Sequence, residues 1–182
     1  MEFFKLETKR LIIRPMSAID LEDFHQYVSD NEVTKYMYSL SRKDEYPKEN
    51  SFIYIQLVQN EWKKEDPNFF EFGIELKENN KMIGNICVFF SENKKEAEFG
   101  WIFNPKFHKK GFAFEAAKKI INFIQFEYKI KKIVAHCDER NIASSNLMQR
   151  LGFVLYKRNL YRKYPLTGEE STEAEYILKN QL

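Results

Sequence analysis

Glycine and proline are scarce, with 6 and 5 residues in a chain of 182, which excludes collagen-like structure and low-complexity disorder. Cysteine is scarcer still. Cys87 and Cys137 sit singly in apolar runs, which suits buried free thiols in a reducing compartment and not a disulfide framework. No apolar run approaches the roughly 18 residues needed to span a bilayer. The opening "MEFFKLETKR" lacks the basic-then-apolar order of a secretory signal, so the expected location is the cytoplasm. An excess of one charge is also missing. Lys and Arg total 29 against 27 Asp and Glu, a net +2, which gives no bulk electrostatic reason to bind DNA or a membrane surface. What is present is core material: 43% hydrophobic residues, with 17 Phe. The length fits one domain, residues 1–182.

Along the chain, "KRLIIRPM" reads as a strand stopped by Pro15. "SAIDLEDFHQYVSD" opens on a capping Ser17 and carries a helical stripe of Ile19, Leu21, Phe24, Tyr27 and Val28. "NSFIYIQLVQNEWKKE" reads as a helix opened by Asn50 or Ser51. "NFFEFGIEL" and "KMIGNICVFF" form a hairpin around "NN", and "KEAEFGWIFNP" is a further strand. "KKIVAHCD" is a short buried strand, "SSNLMQRLGF" a helix closed by Gly152, and "FVLYKRNLY" and "AEYILKNQL" two tail strands. The order of elements is α+β.

The informative stretch is "FHKKGFAFEAAKKI", Phe107–Ile120. Its "KGFAF" matches the first five places of an RNA-binding strand motif. The match then fails, because Glu115 and Ala117 stand where Val and an aromatic are wanted. Apolar residues recur at Ala113, Ala117, Ile120, Ile121, Ile124 and Tyr128 with polar residues between them, a period of 3.6 and not of two. The segment is therefore a turn, Asn104–Gly111, leading from a strand ending at Phe103 into a helix. A helix N-terminus leaves N–H groups unpartnered, and with the helix dipole these favour a phosphate. Gly111 allows close approach, Ala113 is small, and Lys109 and Lys110 add positive charge. The plain alternative is a connector with solvated lysines.

These residues resemble the GNAT superfamily of acyl-CoA-dependent N-acetyltransferases, whose phosphate loop reads Q/R-x-x-G-x-G/A. Here it stands as His108-Lys109-Lys110-Gly111-Phe112-Ala113, with His108 in the Gln or Arg place. The RimJ/RimL-type branch is resembled most. Its opening is similar to "LETKRLIIRPMSAIDLEDFHQYVSDNEVTKYM", its strand and loop to "AEFGWIFNPKFHKKGFAFEAA", and its later motif to "NIASSNLMQRLGF". The resemblance implies a mixed, mostly antiparallel sheet flanked by helices (α+β, within the broad α/β class). It implies acetyl-CoA as co-substrate, no metal, and a small-molecule amine or protein N-terminus as acceptor. It also implies that Trp101, Ile102 and Phe103 pair with the pantetheine arm on a splayed strand. The loop from Lys109 through Phe112 and Ala113 to Phe114 would hold the pyrophosphate, Asn141 would bond the pantetheine amide, and Ser144 would lie near the cofactor. A homodimer is compatible with it.

For the chemistry, an activated thioester needs an aligned amine, a group to remove its proton and a donor for the oxyanion. Glu98 matches a position where relatives carry a base; the alternative is a solvent-facing Glu beside Glu96. His136 lies near the end of its strand, where some relatives carry a glutamate base, although a lone His on an apolar strand is more often a core residue. Ser144 has a competing role as a helix cap. Met148 stands where many GNAT enzymes carry the Tyr that protonates the leaving thiolate. Methionine cannot do so, which leaves Ser144 or water, or a CoA-binding protein without catalysis. Acceptor-lining residues are expected from "VSDNEVTKYMYSLSRKDEYP" and from the tail. The tail's "YKRNLYRKY" reads as a solvated strand face with Tyr packing.

Overall fold

A computed structural model describes residues 4–179 of the chain. One eight-stranded sheet runs in the order β1-β2-β3-β4-β5-β6-β8-β7. Its strands are β1 (Leu6–Glu7), β2 (Leu11–Pro15), β3 (Phe69–Leu76), β4 (Lys81–Phe90), β5 (Glu96–Phe103), β6 (Lys132–Asp138), β7 (Val154–Lys163) and β8 (Glu170–Lys179). Every pairing is antiparallel except β5 with β6. A parallel pair needs a crossover, and α4 (Phe112–Glu127) supplies it. The mixed, mostly antiparallel sheet expected from the sequence is thus observed.

The alternation of side chains along the strands builds two cores. On one face Phe70, Phe72, Ile86, Val88, Phe99 and Ile133 pack with Ala116, Ile120 and Ile124 of α4. On the other, Met82 and Ile102 pack beneath α1 (Leu21–Val28) and α3 (Lys48–Glu61), against Phe24, Tyr27, Ile55 and Val58. Glu98, Gly100 and Ile102 consequently face α1 and α3, while Phe99 and Phe103 face α4.

Several boundaries differ from the sequence reading, each for a local reason. The first helical segment opens with a 3-10 turn, Ala18–Asp20, in which the Asp20 carboxylate accepts the Ser17 N–H. α3 begins at Lys48, not at Asn50 or Ser51, because extended Pro47 serves as its N-cap and has no N–H to satisfy. Ser51 is buried and pairs with His25 instead. α5 (Ile142–Arg150) starts two residues early because the Asn141 side chain caps it, and Gly152 follows with φ +92°. β1 and the four-residue α2 (Asn31–Thr34) are additions. The last three residues of the expected strand "AEYILKNQL" lie outside the described residues.

Candidate active site

The site begins where the sheet divides. β5 pairs with β6 only at Glu96–Lys132, Ala97–Ile133 and Glu98–Val134. Past that point β5 stays with β4 to Gly84–Phe103, while β6 follows β8 to Asp138–Glu173. The β6-facing edge of Gly100–Phe103 therefore has no strand partner. Backbone polar groups are rarely left without partners when buried, so an open edge of this kind inside a cleft is suited to an extended ligand carrying amides. This is the splay expected at Trp101, Ile102 and Phe103, with one restriction. His108 Nε2 bonds the Phe103 carbonyl at 2.9 Å. Standing in the Gln or Arg place, it ties the loop back to the strand end and takes up that carbonyl.

The loop continues the cleft. Asn104 caps a 3-10 turn, Pro105–Phe107, by accepting the Lys106 N–H at 3.1 Å. Lys109 (φ +60°) and Gly111 (φ +80°) then take left-handed conformations on either side of Lys110, a backbone alternation that gathers N–H groups into an anion-binding concavity. Gly111 is the N-cap of α4 and provides no side-chain bond. The first N–H to reach back is that of Glu115, to the Gly111 carbonyl. The N–H groups of Phe112, Ala113 and Phe114 have no partner among the described residues. "KGFAF" thus lies on a loop and a helix. Phe112 is buried and no sheet displays it beside Phe114, which removes the RNA-stacking alternative.

Arg10 went unread in the sequence. It bonds the Lys110 carbonyl at 2.9 Å, lies over the Phe112 ring, and forms an ion pair with Glu115 at 2.7 Å. Burial opposes the Glu115 charge, but bonds from Thr8 and Arg10 hold its carboxyl below the usual range. The partners are 105 residues apart in the chain, so no local pattern marks them. The effect is to brace the loop and to neutralise the acid in the first turn of α4, which would otherwise repel an anion.

α5 closes the opposite side. Asn141 Oδ1 accepts the Ser144 N–H at 3.1 Å, so Asn141, and not Ser144, is the cap. The Asn141 amide nitrogen and the Ser144 hydroxyl make no bonds among the described residues, and both residues line the cleft. Met148 does not line it. Its side chain is fully buried in the core beneath α4, so methionine here is a packing residue.

On the α1–α3 face, Glu98 and His136 come together. His136 Nδ1 lies 3.2 Å from Glu98 Oε1, and Nε2 lies 4.0 Å from Glu175. The bond to His136 lowers the Glu98 pKa, and the bond to Glu98 raises that of His136. His136 is half-buried in the cleft and not a core residue. The pair stands at the fork of the sheet, where the last β5–β6 register pair is Glu98 with Val134. Beside it, nothing lies within 4 Å of a β-carbon placed on Gly100. Cys87 and Cys137 are both free and line the cleft. Burial pushes the Cys137 thiol up to about 11, which leaves it protonated and inert. Tyr36, Tyr38 and Tyr46 from the segment between α2 and α3 and Arg162 from β7 complete the wall. The cleft has a volume of about 1660 Å³, above the roughly 300–1,000 Å³ of a single drug-sized pocket and roomy enough for two reactants.

Residues 10–154 match the acetyltransferase (GNAT) domain family. The chain belongs to the GNAT family. Its GNAT relatives include the uncharacterized N-acetyltransferase YnaD of Bacillus subtilis, 28% identical and covering 94% of each chain. Two solved structures share the fold. RimL, a ribosomal L7/L12 α-N-protein acetyltransferase in complex with coenzyme A, superposes with a TM-score of 0.84 at 16% identity, over 97% of this chain and 98% of its own. Spermidine N-acetyltransferase from Vibrio cholerae, in complex with CoA and spermine, gives 0.77 at 18% identity over 94% and 96%. The GNAT fold thus places the strand fork, the glycine loop and the capped α5 around one cleft.

Proposed function

We propose that this GNAT chain, acting as a single domain, transfers an acetyl group from acetyl-CoA directly to a primary amine, either a small amine or a protein N-terminus. The observation that carries the reading is the fork itself: an open β5 edge leads from the Glu98–His136 pair to the unpartnered N–H groups of α4. A pantetheine arm is an extended chain with two amides, which suits the β5 edge at Trp101 and Ile102. A pyrophosphate suits the concavity from Lys109 to Phe114, and the Asn141 amide supplies a further donor. The thioester then lies at the fork, on the border between the two faces of the sheet. The amine enters from the α1–α3 face, where Glu98 is ionised and attracts it. As the N–C bond forms, the C–S bond breaks, the Glu98 carboxylate takes the proton the adduct nitrogen loses, and the leaving thiolate takes one from water or from the Ser144 hydroxyl, which water reprotonates. The relatives whose names include RimL and spermidine N-acetyltransferase act on a protein N-terminus and a polyamine respectively, and both acceptor types remain within the proposal.

Titration calorimetry with acetyl-CoA tests it. Micromolar binding, about −8 kcal/mol, is expected, and dephospho-CoA should bind as well because the pyrophosphate is the group gripped. Gly111→Val should lose this binding, since Val at φ +80° is strained and fills the concavity. A screen of peptides, polyamines and aminoglycosides following free-thiol release then identifies the acceptor. Failure of both CoA forms to bind sinks the reading.

A further inference from the structure

Behind the fork lies a carboxylate with no evident structural counterpart. Glu71 on β3 is fully buried. Its register partner on β4 is Cys87, and the β5 partner of Cys87 is Gly100. Glu71, Cys87 and Gly100 therefore form one row across the sheet on the α1–α3 face, ending at the open space over Gly100. Glu71 Oε2 accepts the Tyr54 hydroxyl at 2.6 Å, and Oε1 accepts the Asn85 amide at 2.5 Å. Asn85 accepts the Tyr27 hydroxyl in turn, and Cys87 is the register neighbour of Glu71 on the same face.

The groups facing Glu71 are Tyr27 from α1, Tyr54 from α3, and Asn85 and Cys87 from β4, with Glu98 beyond Cys87 on β5. All its donors are neutral, and no Lys, Arg or His pairs with it among the described residues. A buried carboxylate without a cation is costly to ionise. Its donor Tyr54 is only partly buried and lines the cleft, so a proton can pass between the cleft and Glu71 through it.

We propose that Glu71 accepts the proton that the acceptor ammonium loses before attack, relayed through the Tyr54 hydroxyl. This deepens the amine-acetylation reading above and rests on it. Two protons must leave the amine nitrogen. The first comes from a ground-state ammonium and calls for the stronger base. The second comes from the tetrahedral adduct, whose nitrogen is far more acidic, so the weaker base suffices. The two cleft carboxylates are divided in this sense: burial raises the pKa of Glu71, while His136 lowers that of Glu98. Paired carboxylates pushed apart in this way mark separate acid–base roles. In the first step the nitrogen keeps its electron pair and gives its proton to the Tyr54 oxygen. The relay's own proton moves to Glu71, which becomes neutral, and no other bond changes. After product release the same path returns the proton to solvent.

The test is the pH dependence of acetyl transfer in wild type and Glu71→Gln, run with two acceptors of different amine pKa. A limb that belongs to the enzyme does not move with the acceptor. The expected wild-type enzyme limb lies above the usual carboxylate range, with activity rising as pH rises. Glu71→Gln should remove that limb and lower kcat about a hundredfold while acetyl-CoA affinity stays unchanged. Should Glu71→Gln fail to fold, Tyr54→Phe closes the relay and should produce the same loss. A folded variant of either kind with wild-type kcat and limb overturns the proposal, as does a limb that lies below the carboxylate range and vanishes only in Glu98→Gln. Failure of the broader reading shows instead in the wild type, as binding of acetyl-CoA with no amine acetylated.

Discussion

At the scale of the residue, the decisive event is a pairing that alternation alone cannot announce. Glu98 and His136 are 38 positions apart and meet because parallel strands put register partners on one face, Glu98 beside Val134 and His136 two places on. The pairing changes both groups. A histidine pKa raised in the fold contributes stability that is present below its unfolded value and is lost as pH rises through its folded value. A lowered carboxyl contributes stability present above its unfolded value and lost as pH falls through its folded one. The attraction is therefore intact between the lowered Glu98 value and the raised His136 value, a window that includes the ordinary histidine value of 6.5. An NMR titration of the imidazole should give a His136 midpoint above 6.5 in the wild type. In Glu98→Gln the midpoint should fall, because the largest cause of its elevation is gone. A midpoint that Glu98→Gln leaves in place would show that the distant Glu175 and Glu173 carboxylates, not Glu98, control His136. Glu98→Gln should also lower acetyl transfer, since the amine loses its anion at the fork.

At the scale of the element, two glycines on neighbouring strands separate what holds β5 from what β5 leaves open. A β-carbon on Gly84 would meet Phe103 Cδ1 at 2.5 Å and the Ile102 carbonyl at 2.6 Å, whereas one on Gly100 meets nothing within 4 Å. Gly84→Ala should therefore push the end of β5 out of register, at about 1–3 kcal/mol of stability, and weaken acetyl-CoA binding. Gly100→Ala should melt like wild type and bind acetyl-CoA normally, yet raise KM for the amine by occupying the space beside Glu98. Thermal melts with paired binding and rate measurements check this; equal melting temperatures for the two variants would contradict the close approach at Gly84. The long elements were legible because their patterns are strong: α4 buries Ala116, Ala117, Ile120, Ile121 and Ile124 as a 3.6 stripe requires, and β3 and β4 are short, mostly buried apolar runs joined by a turn. The two-residue β1 and four-residue α2 are too short to carry a period. The loop before α4 could be read because glycine at a positive φ leaves a mark in sequence. Arg10, Tyr54 and Glu71 could not, since each takes its role from a partner on another element. Met148 could be placed in its motif but not oriented, because which side of α5 faces the core is decided by α4.

At the scale of the molecule, the sheet is two blades sharing a short hinge. β1–β5 form one blade and β6, β8 and β7 the other, joined along the sheet by three register pairs, Glu96 to Glu98 with Lys132 to Val134. The core beneath α4 and α5 reaches across both blades, but at the fork no strand hydrogen bonds join them. A ligand seated there touches β5, the α4 loop and α5 together, so it ties one blade to the other. Anything that binds the folded state alone stabilises it in proportion to the logarithm of its concentration over Kd, about 2.7 kcal/mol at a hundredfold excess over Kd. For a chain of this size each kcal/mol moves the melting temperature by about 2–4 °C, so saturating acetyl-CoA should raise it by roughly 5–10 °C. The location of the effect is the sharper prediction. Hydrogen exchange should slow most at the open edge from Gly100 to Phe103 and at the first turns of α4 and α5, whose amides gain partners. The β2–β3 and β3–β4 ladders, already paired along their length, should change little. Protection spread evenly over all strands, with no excess at the fork, would mean that the ligand stabilises the fold without bridging the blades, and the cleft would have to be assigned elsewhere.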